Sequence, residues 1–149
     1  MTLPLIVVCV LVASVLIAVW IKRTRDKRQV EVHSITPEAL HTLVDSSPEV
    51  LLFDVRQPLD LLTDSEIIPG ARRIAPQDVF RDPSLIPKDR DAVVYCTCPG
   101  EETSRRVLQR ALDLQIFRVK ILKGGLAGWK AKGYPVVPYT EPFHLDTRA

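Results

Sequence analysis

The stretch Val93-Val94-Tyr95-Cys96-Thr97-Cys98-Pro99-Gly100-Glu101-Glu102-Thr103-Ser104-Arg105-Arg106 decides the reading of this chain. A β-branched, aromatic run ends in two cysteines and a short loop. A helical pattern follows at once: Val107, Leu108, Ala111 and Leu112 recur at helical spacing across residues 104–114. A thiol at the mouth of such a loop lies among unpaired backbone N–H groups and the positive end of a helix dipole. Both favour the thiolate, the reactive form of cysteine.

Outward from that loop, strand and helix signals alternate. Residues 29–34 read as a linker that becomes an edge strand. Thr36-Pro37-Glu38 is a helix start, with a hydroxyl N-cap, proline at the first helical position and an acid in the first turn. That helix is expected to run to about Val44, with Leu40, Leu43 and Val44 on its apolar side. Residues 50–55 form an apolar run closed by Asp54 and Arg56, as in a buried strand. A short helix is expected over 57–62, a turn at Pro69-Gly70, a strand over 71–75 and a helical turn over 76–80. Residues 83–91 read as a polar loop and 92–96 as a central strand. Residues 117–122 alternate with Phe117, Val119 and Ile121 on one face. Gly124-Gly125 breaks the chain before a last helix over 126–132. Such alternation predicts an α/β fold with a mostly parallel central sheet covered on both faces.

The chain has 149 residues, room for one such domain, and its N-terminus takes some of that length. Residues 3–21 are almost unbroken apolar sequence, roughly the ~20 residues a helix needs to cross a bilayer. Trp20 falls at the expected interface, and Lys22, Arg23, Arg25, Lys27 and Arg28 follow, opposed only by Asp26. A cleaved signal peptide is the alternative, but it favours a charged start and a small-residue cleavage site, both missing here. The reading is therefore a single-pass anchor over 1–21 and a basic juxtamembrane linker over 22–31. A folded domain over 32–137 and a C-terminal tail over 138–149 complete the division. The positive-inside rule puts the basic flank and the domain after it on the cytoplasmic side of the membrane.

The net charge of +2 comes from this basic cluster, so the remainder is slightly acidic. The sequence pI of about 8.5 reports a membrane-surface anchor. No basic stripe with interleaved aromatics is present, which argues against nucleic acid as a partner. Three cysteines are too few for a disulfide scaffold, and Cys9 lies inside the apolar segment. Cys96 and Cys98 lack a nearby second ligand pair, so no metal site is expected. His33, His41 and His144 read as surface or helix-face residues.

Several separate motifs together resemble the rhodanese family. They are Asp54-Val55-Arg56 at a strand end, Ile68-Pro69-Gly70-Ala71 at a turn, the cysteine loop, and Leu122-Lys123-Gly124-Gly125 with Trp129, followed by Gly133-Tyr134-Pro135-Val136. The resemblance covers about residues 32–136. It implies a three-layer α/β fold preceded by the transmembrane helix, and a sulfurtransferase acting through a cysteine persulfide. The implied partners are a sulfane-sulfur donor and a thiol acceptor. No metal or organic cofactor is implied.

Counting forward from the strand end points to Cys96 as the nucleophile. Counting back from the helix points to Cys98, because the family places a serine or threonine about six positions after its cysteine, and Ser104 stands there. The helix count defines the anion cradle, so Cys98 is preferred and Cys96 is the alternative, otherwise a small buried hydrophobe. Pro99, Gly100, Glu101, Glu102, Thr103 and Ser104 form the expected substrate loop. Asp54, Arg56 and Arg105 are supporting candidates, Asp54 and Arg56 more as a structural pair than as substrate contacts.

This sequence departs from the family at the loop, where Glu101 and Glu102 stand near the thiol, and before the Ile-Pro-Gly-Ala turn, where Ile67 replaces a histidine. Carboxylates beside a thiolate repel an anionic donor such as thiosulfate. A persulfide carried on a protein or small thiol is therefore the expected sulfur source. The competing reading is a catalytically weak or inactive rhodanese-like module that binds a membrane-protein partner. Phosphatase chemistry wants an arginine six positions after the cysteine. From Cys98 that residue is Ser104 and from Cys96 it is Glu102, which excludes it.

Overall fold

In the computed structural model, residues 2–97 and 99–142 are described, with the side chains of 2–5 and 99 excepted. Cys98 and His144 lie outside the described residues. The chain divides into two units, Met1–Val32 and His33–Ala149.

The first unit is one helix, α1 (Thr2–Val32). At about 1.5 Å per residue it is some 46 Å long, longer than a hydrocarbon core. Its apolar side chains between Ile6 and Ile21 are exposed within the unit, and by length and composition it is able to cross a membrane. The basic stretch expected as a linker is helical instead. Lys, Arg and Gln are good helix formers, and no glycine or proline interrupts residues 22–31. The strand expected within 29–34 is correspondingly reduced to β1 (Ser34–Ile35).

The second unit continues with α2 (Pro37–Ser46), β2 (Leu51–Asp54), α3 (Pro58–Thr63), β3 (Glu66–Ile67), β4 (Arg72–Arg73) and α4 (Pro76–Arg81). Then follow β5 (Ala92–Tyr95), α5 (Glu102–Asp113), β6 (Val119–Leu122), α6 (Gly125–Ala131) and β7 (Val137–Pro138). As expected, the Ala39 N–H donates to the Thr36 hydroxyl at 3.3 Å, with Pro37 opening α2. At α3 the Gln57 N–H donates to the Asp60 carboxylate at 3.0 Å, closing a capping box.

The main sheet has five strands, all parallel, in the order β1-β6-β5-β2-β4. β5 is central and buried at all four positions, as its unbroken apolar sequence predicts. One face carries Leu52, Val93, Tyr95 and Leu122, which share a core with Leu40 of α2 and Leu126 and Trp129 of α6. By strand alternation Phe53, Val94 and Ile121, aligned in register, occupy the other face. There α5 buries Val107, Leu108 and Ala111 and packs against β5, β6 and α4. The result is the three-layer α/β fold.

Two expectations need correction. Phe117 does not share a face with Val119 and Ile121; it is 62% exposed and precedes the strand. Gln115 takes a left-handed conformation (φ 60°) and the Ile116 N–H returns to Ala111 O at 2.9 Å, so Ile116 fills the core instead. The start of the expected tail is also part of the fold: β7 pairs antiparallel with β3, and the Tyr139 N–H donates to Ser65 O at 2.7 Å.

Candidate functional site

Parallel α/β sheets present their ligand sites at the carboxyl ends of the strands. In this domain those ends bring together Asp54, the last residue of β2, Cys96 after β5 and the Lys123–Gly125 turn after β6. Asp54 and Tyr95 are register partners, and the Val55 N–H donates to Tyr95 O at 2.9 Å.

Cys96 is 1% exposed, and its carbonyl accepts the Leu126 N–H at 3.1 Å. That close approach requires Gly125: a Cβ there would stand 2.0 Å from Cys96 O, and its φ is +54°. Thr97 is half-buried, and Cys98, the preferred nucleophile, lies outside the described residues.

Beyond Cys98, Pro99–Glu101 make a short 3-10 turn in which Gly100 is left-handed (φ 71°, ψ 10°). Glu101 is left-handed too (φ 59°, ψ 30°) and caps α5. Its carboxylate accepts the backbone N–H of Gly124. Glu102 is exposed, while Thr103 and Ser104 are buried in the first turn of α5. The Ser104 hydroxyl has no hydrogen-bond partner among the described residues. First-turn amides of a helix lack intrahelical acceptors, so this end of α5 offers donors to an anion. Arg105 is exposed, and the Arg106 guanidinium lies over the Phe80 ring at 5.1 Å, turned toward α4.

Asp54 and Arg56 form a fully buried ion pair. The Arg56 Nε donates to both Asp54 oxygens at 2.9 and 2.8 Å, and its terminal nitrogens reach Asp54, Asp64 O and Glu66 O at 2.6 to 2.8 Å. Burial alone pushes the guanidinium's pKa down; the bond and charge of Asp54 outweigh it, and the net direction is upward. This pair braces the chain between α3 and β3. Lys130 of α6 extends the brace by bridging Asp64 at 2.7 Å and also Glu66. Ile67, where the family has a histidine, is buried in β3.

Sequence reasoning missed two groups. The Tyr95 phenol accepts the Ile68 N–H at 3.2 Å, fixing the Ile-Pro-Gly-Ala turn, and burial, followed by the charge of Asp54, pushes its pKa upward. The second is the link from Glu101 to Gly124; the paired glycines were a signal of close backbone approach. Among the described residues no cluster of three His, Cys, Asp or Glu side chains is placed to hold a metal ion.

Comparison with known proteins agrees with this architecture. The Rhodanese-like domain family matches residues 36–132, well over half of the chain. The chain belongs to the rhodanese-like domain family. A sulfurtransferase of Allochromatium vinosum is 31% identical over 106 residues, which cover 71% of this rhodanese-like chain and 95% of the relative. The rhodanese-like domain of an Anabaena protein superposes with a TM-score of 0.60 at 26% identity, covering 78% of this chain and 83% of that one. A Lactobacillus plantarum protein gives a TM-score of 0.65 at 21% identity, covering 78% and 97%, a likeness of fold.

Proposed function

We propose that this rhodanese-like protein is a membrane-anchored sulfurtransferase that carries sulfur as a persulfide on Cys98. α1 is its single-pass anchor, and the five cations that follow the apolar span hold the domain on the cytoplasmic side.

The observation that carries the reading is the setting of the residues around Cys98. They follow the buried central strand and precede the first turn of α5, with the Ser104 hydroxyl unpartnered among the described residues. A thiolate nucleophile and a cradle of donors for an anionic persulfide are what sulfur transfer requires. The Cys98 thiolate attacks the outer sulfur of a donor persulfide. A bond forms to Sγ, the donor's S–S bond breaks, and the donor leaves as a thiolate. An acceptor thiolate then attacks the outer sulfur of Cys98-S-S, and Cys98 leaves as the thiolate. No external oxidant or reductant enters.

Burial of Cys96 favours its role as a small core residue. The test is sulfur transfer from a low-molecular-weight persulfide to a thiol by the full chain in detergent. Cys98→Ser is expected to abolish transfer and Cys96→Ser to retain it. The reverse pattern would move the nucleophile to Cys96. A chain that transfers no sulfur before either substitution is a binding module, and transfer that ignores both substitutions would refute a cysteine persulfide.

A further inference from the structure

Away from the cysteine loop, a polar cleft opens beside the edge of the main sheet. β4 is the outermost strand in the order β1-β6-β5-β2-β4 and stands two strand spacings, roughly 10 Å, from β5. Ala71, Arg72 and Arg73 line the cleft from β4 and the turn before it, and Tyr139, Thr140 and Glu141 line it from the chain at the end of β7. Its volume of about 330 Å³ is at the lower end for sites that hold a small molecule. Both walls are fixed by backbone pairing. Arg73 lies opposite Asp54 of β2, and the Ile74 N–H donates to Asp54 O at 3.0 Å. Across the cleft β7 pairs with β3, and the Tyr139 N–H is held by Ser65 O. The Ile-Pro-Gly-Ala turn joins β3 to β4, closed by the Ala71 N–H on Ile68 O at 3.0 Å.

Arg73 and Tyr139 are half-buried, and Arg72, Thr140 and Glu141 are exposed. The Arg73 guanidinium donates to Arg56 O at 3.5 Å, which holds it at the carboxyl edge of the sheet. Tyr139 lies within its field. Burial raises the phenol's pKa, the charge of Arg73 lowers it, the charges of Glu141 and Asp54 raise it, and the net direction is upward. The phenol therefore keeps its proton at neutral pH and is a donor. Asp54 is already balanced by Arg56. The cleft itself sets two guanidiniums and two hydroxyls against one carboxylate, that of Glu141. Guanidinium forks match phosphate oxygens in geometry as well as charge. Charges on an edge strand also keep it from pairing with another chain, but that role needs no hydroxyls on a facing wall. We propose that this cleft is an oxyanion site in which Arg72, Arg73 and the Tyr139 and Thr140 hydroxyls bind a phosphate group, carried by a small molecule or by a lipid headgroup. It needs nothing from Cys98 and stands whether or not the chain transfers sulfur.

The experiment adds inorganic phosphate to the isotope-labelled full chain in a sugar-headgroup detergent, which carries no phosphate of its own. Backbone amide shifts are followed at constant ionic strength. They should concentrate at residues 71–73 and 139–141 and saturate by about 20 mM, for a Kd on the order of 1 mM. Arg72→Gln should raise that Kd about threefold and Glu141→Gln should lower it about twofold, as befits exposed charges. Tyr139→Phe should raise it about fivefold through the lost hydrogen bond. Arg90, which donates to Glu49 O, stands just before β5 at the amino end of the sheet. Arg90→Gln makes the same change in net charge as Arg72→Gln and should leave the Kd unchanged. Glycerophosphoglycerol, the soluble headgroup of an anionic phospholipid, separates the two sources. Binding as tight as that of inorganic phosphate supports a lipid headgroup as the ligand, and weaker binding supports a free phosphate. Shifts spread over the whole basic surface, an equal effect of Arg90→Gln and Arg72→Gln, or no saturation with either probe would overturn the proposal and leave the two arginines as guards of the sheet edge.

Discussion

Replacing Arg56 by methionine removes the cation from a pair that has no solvent to fall back on. Arg56 and Asp54 are both fully buried; the Arg56 side chain donates to Asp54 and to the carbonyls of Asp64 and Glu66, and its backbone N–H also donates to Asp54 at 3.0 Å. Methionine fills much of the volume, so the loss is electrostatic more than steric. Breaking a buried pair by deleting one partner costs about 3–5 kcal/mol, against a total stability of roughly 5–15 kcal/mol for a domain. For a domain of this size that corresponds to a fall in melting temperature of about 10–20 °C. The assay is urea denaturation followed by Trp129 fluorescence in a Trp20→Phe background, because Trp129 is buried in the domain core and Trp20 lies on α1. The double variant Asp54→Leu, Arg56→Met removes both charges and should recover the larger part of the loss. The carbonyls of Asp64 and Glu66 remain without their donor, leaving a deficit of about 1–3 kcal/mol. A single variant that costs less than about 1 kcal/mol, or a double variant no better than the single, would refute the reasoning.

Gly125→Ala should destabilise the domain by more than about 2 kcal/mol and disturb the cysteine loop, because its Cβ would meet Cys96 O at 2.0 Å. Gly128→Ala, whose Cβ would meet Lys123 O at 2.9 Å inside a helix, should cost less, part of the clash being offset by about 1 kcal/mol of helix propensity; denaturation midpoints of the two variants check the order. Acid should weaken the domain through its depressed carboxylates. The hydrogen bond from Lys132 holds Glu38 down to about 2 from 4.5. Burial pushes Asp64 up, but the Lys130 hydrogen bond outweighs it and the net direction is downward. A lowered folded-state pKa contributes stability above the unfolded value that is lost as pH falls through the folded one. Urea midpoints should therefore decline from about pH 4.5 toward pH 2, and Lys132→Met should make that decline shallower; an unchanged slope would remove Glu38 from the account.

The α/β order was legible because its signals are physical and local. Thr36-Pro37-Glu38 carries its cap chemistry on its face, and the apolar runs at 50–55 and 92–96 admit few structures other than buried strands. The errors fall where local signals end. The two-residue strands β3 and β7 are too short to show a period, and only their mutual pairing defines them. Phe117 looked like a strand residue by alternation, yet the left-handed Gln115 shifts the start of β6 and gives the core to Ile116. At the site, the pairing of Asp54 with Arg56 was legible from their two-residue spacing at a strand end. The Glu101 link to Gly124 was not, because it joins residues 23 apart in sequence. Read as a sequence, Glu101 was only a charge near a thiol; in the fold it also fastens the loop.

The central claim is a persulfide on Cys98, and mass mapping of the full chain after exposure to a low-molecular-weight persulfide tests it most directly. The account predicts one added sulfur atom on the peptide carrying Cys98, removed by reductant, absent in Cys98→Ser and retained in Cys96→Ser. A sulfur atom that stays in Cys98→Ser and disappears in Cys96→Ser, or no added sulfur at either cysteine, would contradict it.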